Sequence, residues 1–184
     1  SAGESVTVHP LTIEYSAQRG GERAAGVNIA LSHNLKLGGR HANNIDAVRP
    51  GAAQRYTLVR GGAHAAMPLS RDWRMNYRLM AQLSGDGLIP GEQFGLAGMN
   101  VVRGYEEREV TGDSGAAASV EIVSPAFTSQ GLRWVAFADA GVARNQLGSF
   151  CLDGKTRCTL ASLGLGTRFA LGATQWRFDV AQAL

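Results

Sequence analysis

Eight stretches of the chain alternate apolar and polar residues with a period of two, the mark of a strand with one apolar and one polar face. In Leu11 to Gln18, Leu11, Ile13, Tyr15 and Ala17 share one face and Thr12, Glu14, Ser16 and Gln18 the other. Val27 to Leu35 sets Val27, Ile29 and Leu31 against Asn28, Ser32 and Asn34. Trp73 to Ser84 is the most regular stretch. Trp73, Met75, Tyr77, Leu79, Ala81 and Leu83 point one way, and Arg74, Asn76, Arg78, Met80, Gln82 and Ser84 the other. Ala118 to Ile122, Leu132 to Gly141, Leu160 to Leu171 and Gln175 to Leu184 repeat the pattern. Gln54 to Ala66 is the weakest: Tyr56 and Leu58 share a face, Arg60 follows in phase, and Gly61-Gly62 predicts a bulge.

Most of these strands run roughly 9–12 residues, the length a tilted strand needs to cross a bilayer. Their connections alternate in length. Short ones fall near residues 19–24, 67–72, 124–131 and 172–173, and long ones near 37–52, 85–115 and 144–158. Antiparallel strands send alternate connections to opposite ends, so one end has tight turns and the other large loops, as in outer-membrane barrels. Trp73, Trp134, Tyr56 and Tyr77 lie in phase with the outward faces as candidate interface girdles. The same period fits a soluble, lipocalin-like barrel with an apolar interior and a ligand cavity, because period two does not distinguish in from out.

Composition narrows the class. A chain of 184 residues is enough for one domain, and 45% hydrophobic with 18% charged residues excludes wholesale disorder. The 24 glycines and the lack of a helix-period run point to an all-β protein. The net charge is +3, yet no Lys/Arg cluster is interleaved with aromatics, so no nucleic-acid partner is expected. No run approaches the roughly 18 apolar residues of a membrane helix. The start, SAGESVTVHP, has neither the basic nor the apolar region of a signal peptide, which leaves a cytoplasmic protein or an internal piece of a processed precursor. Cys151 and Cys158 share one polar loop, either as free thiols or as a disulfide closing a small loop; their spacing fits neither zinc nor a C-x-x-C motif. His9, His33, His41 and His64 have no metal spacing, and no cofactor is predicted.

The stretch from Gly91 to Gly115, within the long connection 85–115, does not fit a linker. It mixes Phe94, Met99, Val101, Val102 and Tyr105 with Arg103, Arg108, Glu106, Glu107 and Glu109, a composition suited to packing inside a barrel and pairing charges there. Val102-Arg103-Gly104-Tyr105, between GEQFGLAG and EEREVTGDSG, resembles the sixth-loop motif of two-partner secretion transporters. Phe137-Ala138-Asp139-Ala140-Gly141 resembles the F-x-D-x-G strand motif of the same outer-membrane superfamily, and WRFDVAQAL resembles its penultimate strand. The resemblance covers essentially the whole chain, 1–184, as the C-terminal half of a sixteen-stranded antiparallel transmembrane barrel, from the eighth strand to the fifteenth. It implies a protein of the bacterial outer membrane, in contact with lipid, that exports one large β-helical adhesin or haemolysin. It also implies two periplasmic POTRA domains, a plug helix and the first half of the barrel, none of which this chain contains.

Carried over residue by residue, the resemblance implies that Arg103 reaches Asp139 on the barrel wall, with Gly104 allowing a tight bend and Tyr105 stacking or hydrogen-bonding inside. Phe137, Asp139 and Gly141 fall on the polar face of their strand. Arg74, Arg78, Gln82, Glu121, Arg133 and Arg168 are expected to line the lumen. Gly164 and Gly166 lie mid-strand, where they leave room for the loop rather than form a phosphate loop. One enzyme reading arises from Gly112-Asp113-Ser114-Gly115, which matches the serine-protease nucleophile signature, with His64 upstream as a base. The Gly-Pro that usually follows is missing, and the resemblance favours a turn and no enzyme activity.

Overall fold

The structure, a computed structural model, describes residues 6–35, 41–129, 131–148, 151 and 155–184. All eight alternating stretches fold as strands of one antiparallel sheet. They are β1 (Pro10–Arg19), β2 (Ala25–Asn34), β3 (Thr57–Pro68), β4 (Arg74–Ser84), β7 (Ser114–Val123), β8 (Arg133–Arg144), β9 (Arg157–Leu171) and β10 (Thr174–Ala183). Each strand pairs with its neighbour in sequence order, giving an up-and-down meander whose outer edges are β1 and β10. Between β4 and β7, two short strands, β5 (Phe94–Gly95) and β6 (Thr111–Gly112), pair with each other and form a separate hairpin. Short turns join β1 to β2, β3 to β4, β7 to β8 and β9 to β10, and the three long connections leave from the opposite end.

The two faces of the sheet differ as period two dictates. One face carries the β5–β6 hairpin, and its inward residues are largely polar: Asn28, Ser32, Arg60, Arg78, Gln82, Ser119, Glu121, Asp139, Ser162, Arg168 and Asp179. The other face is bare and apolar, exposing Leu11, Ile13, Tyr15, Val27, Ile29, Leu31, Leu79, Leu83, Leu163, Leu165, Phe178 and Val180. A soluble lipocalin-like barrel requires the reverse, so that reading is overturned. A contiguous apolar face of this size needs an apolar neighbour.

Three expectations need correction. Tyr56 is not an outward girdle residue: it is 1% exposed and packs with Leu58 and Leu88 under the loops. The weak pattern of its stretch hid the fact that Tyr56, Leu58 and Arg60 all lie on the polar, hairpin-bearing face. No bulge forms at Gly61-Gly62, since β3 stays in register with both β2 and β4 through these residues. The polar connection 37–52 contains a helix, α1 (His41–Val48), of which the side chain of Ile45 is buried; residues 36–40 and the side chain of His41 lie outside the described residues. The girdle proves richer in another place. Trp73, Trp134 and Trp176 all sit at the short-turn end and are exposed, and the rings of Trp176, Phe169 and Phe178 stack in one cluster, with Trp176 6.4 Å from Phe169 and 6.1 Å from Phe178. Tyr77, in phase with this face, is half-buried and donates to Met75 Sδ.

Cys151 and Cys158 form a disulfide that closes a small loop beside β9. A cross-link over so few residues restrains the unfolded chain by about 2–3 kcal/mol. Replacing both cysteines by Ser is therefore expected to lower the melting temperature modestly while leaving the strands intact. Unchanged melting in the presence and absence of reductant would show that the bridge contributes nothing.

Candidate functional site

The connection between β4 and β7 is a fold of its own that lies on the polar face of the sheet. Phe94, Leu96 and Val102 from the hairpin are buried against Ala117 of β7 and Ala143 of β8, with Met80, Leu160 and Tyr105 packed around them. Inside the hairpin, Leu96 N donates to Val110 O (2.8 Å) and Val102 N to Leu96 O (3.2 Å). Met99, by contrast, is exposed. Of the acidic residues, Glu92 pairs with Arg60 of β3 at 2.7 Å, whereas Glu107 accepts from Met99 N and Glu109 from Glu106 N.

Arg103 is placed by this hairpin at the level of Asp139, five residues inside the long-loop end of β8. At about 3.3 Å per residue that is a depth of roughly 17 Å. Arg103 is 2% exposed. It grips Asp139 in a two-pronged bond, Nε to Oδ2 and Nη2 to Oδ1, both 2.7 Å, and its backbone N adds a third bond at 3.2 Å. Bidentate guanidinium–carboxylate pairs are among the strongest polar contacts. Arg103 does not stop at one partner. Nη1 also donates to Glu121 of β7 (2.7 Å) and Asp179 of β10 (3.3 Å), and Nη2 to Ser119 of β7 (3.1 Å). The guanidinium lies 3.4 Å above the ring of Phe137, a cation–π contact.

The neighbouring motif residues support this contact. Gly104 has φ +91°, a conformation costly for other residues, and a Cβ there would lie 3.2 Å from Ala181 Cβ and 3.3 Å from Ala183 N of β10. Tyr105 donates its hydroxyl to Ala161 O (3.0 Å). Gly141 gives Leu96 its seat: a Cβ there would lie 2.5 Å from Leu96 Cδ1. Gly164 and Gly166 leave room as expected, though for Phe137 and Asp179 beneath the loop rather than for the loop itself. Overpacking of this kind costs about 1–3 kcal/mol, which raises the open population roughly 5- to 150-fold. A Gly141→Val variant is expected to show that increase in tryptic cleavage after Arg103; cleavage at the wild-type rate would mean the Leu96 contact does not restrain the loop.

The expected lumen residues do not all behave alike. Gln82 is buried and ties the loop base, donating to Glu92 O (2.8 Å) and Asp113 O (3.1 Å). Glu121 pairs with Arg103, and Arg168 with Asp179 at 2.5 Å. Arg133 donates to Ser124 O near the β7–β8 turn. Arg74 is exposed at the short-turn end, beside a cleft that includes Asp72 and Arg133. Arg78 is half-buried and takes no hydrogen bond or ion pair among the described residues.

A second anchor lies at the long-loop end, and sequence reasoning missed it. Asp113 is fully buried (0% exposed) and pairs with Arg49, the residue after α1. Arg49 Nη2 reaches Asp113 Oδ2 at 3.0 Å, and Nη1 binds both Asp113 Oδ1 and Leu88 O. Asp113 also accepts from Leu88 N (2.8 Å) and Gln146 N (2.7 Å). One carboxylate thus ties the α1 connection, both ends of the β4–β7 loop and the β8–β9 connection. Burial works against the charge, but Arg49 and the two amides more than offset it and hold the Asp113 carboxyl below the usual carboxylate range. Ser114, the would-be nucleophile, exchanges bonds with the Ser84 backbone at 2.9 and 3.0 Å. His64 stands on β3 opposite Arg78. The GDSG sequence forms the loop hub and the start of β7, with Ser114 bonded to the Ser84 backbone.

The sequence model of one protein family, described as haemolysin secretion/activation protein ShlB/FhaC/HecB, matches residues 5–169, most of the chain. No curated protein matches the sequence.

Proposed function

Because the chain belongs to the haemolysin secretion/activation family, we propose that it forms the C-terminal half of an outer-membrane translocator that exports one partner exoprotein of the haemolysin or adhesin type. The observation that carries this reading is the buried Arg103, set deep on the polar face and held by carboxylates of β7, β8 and β10. A surface loop has no reason to bury a guanidinium at that depth; a gate across a lumen does. Residues 1–184 supply part of the wall, and the open edges at β1 and β10 pair with strands from the rest of the barrel. Lipid covers the apolar face, and POTRA domains elsewhere in the whole protein receive the substrate.

In this mechanism the loop holds the resting pore, pinned inside by Arg103–Asp139 and at the mouth by Arg49–Asp113. An unfolded substrate enters from the short-turn end and passes the polar face lined by Arg74, Arg78, Glu121, Arg133 and Arg168. Its folding outside draws transport forward without nucleotide hydrolysis. The test is export of the partner encoded with the full-length protein. Deleting the transporter gene is expected to leave the partner inside the cell envelope; equal amounts in the medium with and without the gene would overturn the reading.

A further inference from the structure

One cross-strand row on the polar face runs Ser162, Asp139, Ser119, Arg78, His64, in that order across β9, β8, β7, β4 and β3. The loop anchor occupies the Asp139 and Ser119 end of the row. Beside it opens a cleft of about 250 Å³, lined by His64, Asn76, Arg78, Ser119, Glu121 and Arg177 and extending from the anchor row towards the short-turn end. Around the anchor the guanidiniums of Arg78, Arg103, Arg168 and Arg177 face the carboxylates of Glu121, Asp139 and Asp179. Arg103, Arg168 and Arg177 are all bound to those carboxylates. Arg78 is left over: among the described residues nothing accepts from it, although the cleft around it is half closed to water. A half-buried guanidinium without an acceptor is a donor site in wait for an anion.

Resting on the translocator reading, we infer that Arg78, with His64 and Asn76 beside it, is a carboxylate-binding site that receives acidic side chains of the exported polypeptide. A chain entering from the short-turn end meets this cleft before it reaches the loop. The site lies two strands from Asp139, about 10 Å at the usual strand spacing, so a carboxylate held there stands next to the guanidinium that anchors the loop. The carboxylate has two possible sources, the exported chain or another part of the same protein, and binding separates them.

The experiment uses the full-length transporter in detergent and a neutrally labelled octapeptide of alternating Asp and Gly, with its Asn-for-Asp counterpart as control. The Asp peptide is expected to bind more tightly than the Asn peptide, and Arg78→Gln to weaken it by about tenfold or more. Arg78→Lys keeps the charge without the fork and falls between, while Arg19→Gln, on the opposite face of the sheet, leaves binding unchanged. Removing Arg78 strands no partner, and wild-type binding that falls with added salt supports the site independently of any variant. Equal binding by wild type and Arg78→Gln, or by Asp and Asn peptides, overturns it; that result is also the one expected if a carboxylate of the same protein already fills the site. Failure of the translocator reading looks different: the wild-type protein would bind the peptide and export no partner.

Discussion

An Arg103→Ala substitution in the full-length protein is expected to abolish export while the barrel still inserts. The substitution leaves Asp139 buried with no counter-charge, and breaking one side of a buried pair costs about 3–5 kcal/mol. The main loss falls on the seated loop, because the strands keep their own ladders. Asp139→Ala is expected to be nearly as damaging. The reciprocal swap, Arg103→Asp with Asp139→Arg, separates this site from a simple two-residue bridge. A bridge is restored by swapping its ends. Here Arg103 also serves Glu121 and Asp179, and an aspartate in its place would face both of them. The swap is expected to remain inactive, and Arg103→Lys to be weak because an ammonium cannot fork onto Asp139. The measurement is partner in the medium against correctly inserted transporter, judged by heat-modifiable migration. Normal export by the single variants would remove the anchor from the mechanism.

The second large effect is expected at the mouth. Asp113→Ala removes the carboxylate shared by Arg49 and the amides of Leu88 and Gln146, again a loss of about 3–5 kcal/mol at a fully buried carboxylate. Single channels of the full-length variant in planar bilayers are expected to open more often and for longer than wild type. Acidity gives the sign a separate check. The folded carboxyl titrates below its unfolded value of about 3.9. Its stabilisation is therefore complete above that pH and is lost as pH falls through the lower folded value. The difference between wild type and Asp113→Asn should be full at neutral pH and shrink below about pH 3.9. A gap that persisted in strong acid would mean the charge of Asp113 is not what holds the loops.

The strands were legible because each has one face in contact with a polar environment and one with an apolar one, so period two is written into the residues. β8 is the plainest case: Trp134 and Ala136 alternate with Phe137 and Asp139, and the structure exposes the former and buries the latter. The Arg103–Asp139 contact was reachable only through a motif, since nothing in the spacing of two residues 36 apart implies that they meet. Arg49 and Asp113 carried no such signal. They are 64 residues apart, both lie outside the alternating stretches, and Asp113 sits in a sequence that suggested unrelated chemistry. α1 escaped because its hydrophobic positions are too few to show a period. The face of Tyr56 is not legible in its stretch, where Arg60 and two glycines blur the phase, and tertiary cover from Leu88 explains its burial.

The polar partners of Arg103 and Tyr105 come from β7, β8, β9 and β10, all of which follow the hairpin along the chain. The hairpin cannot seat until those four strands have paired, and it seats only if they have paired correctly. A slip of one residue in β8 would turn Asp139 towards the apolar face and offer Ala138 or Ala140 in its place. Docking of Arg103 is thus a gauge of register: a barrel assembled out of step is left with a loose loop and a stranded guanidinium. Such a species carries a buried charge without its partners, so the contact that seats the hairpin also reports that the sheet around it was built true.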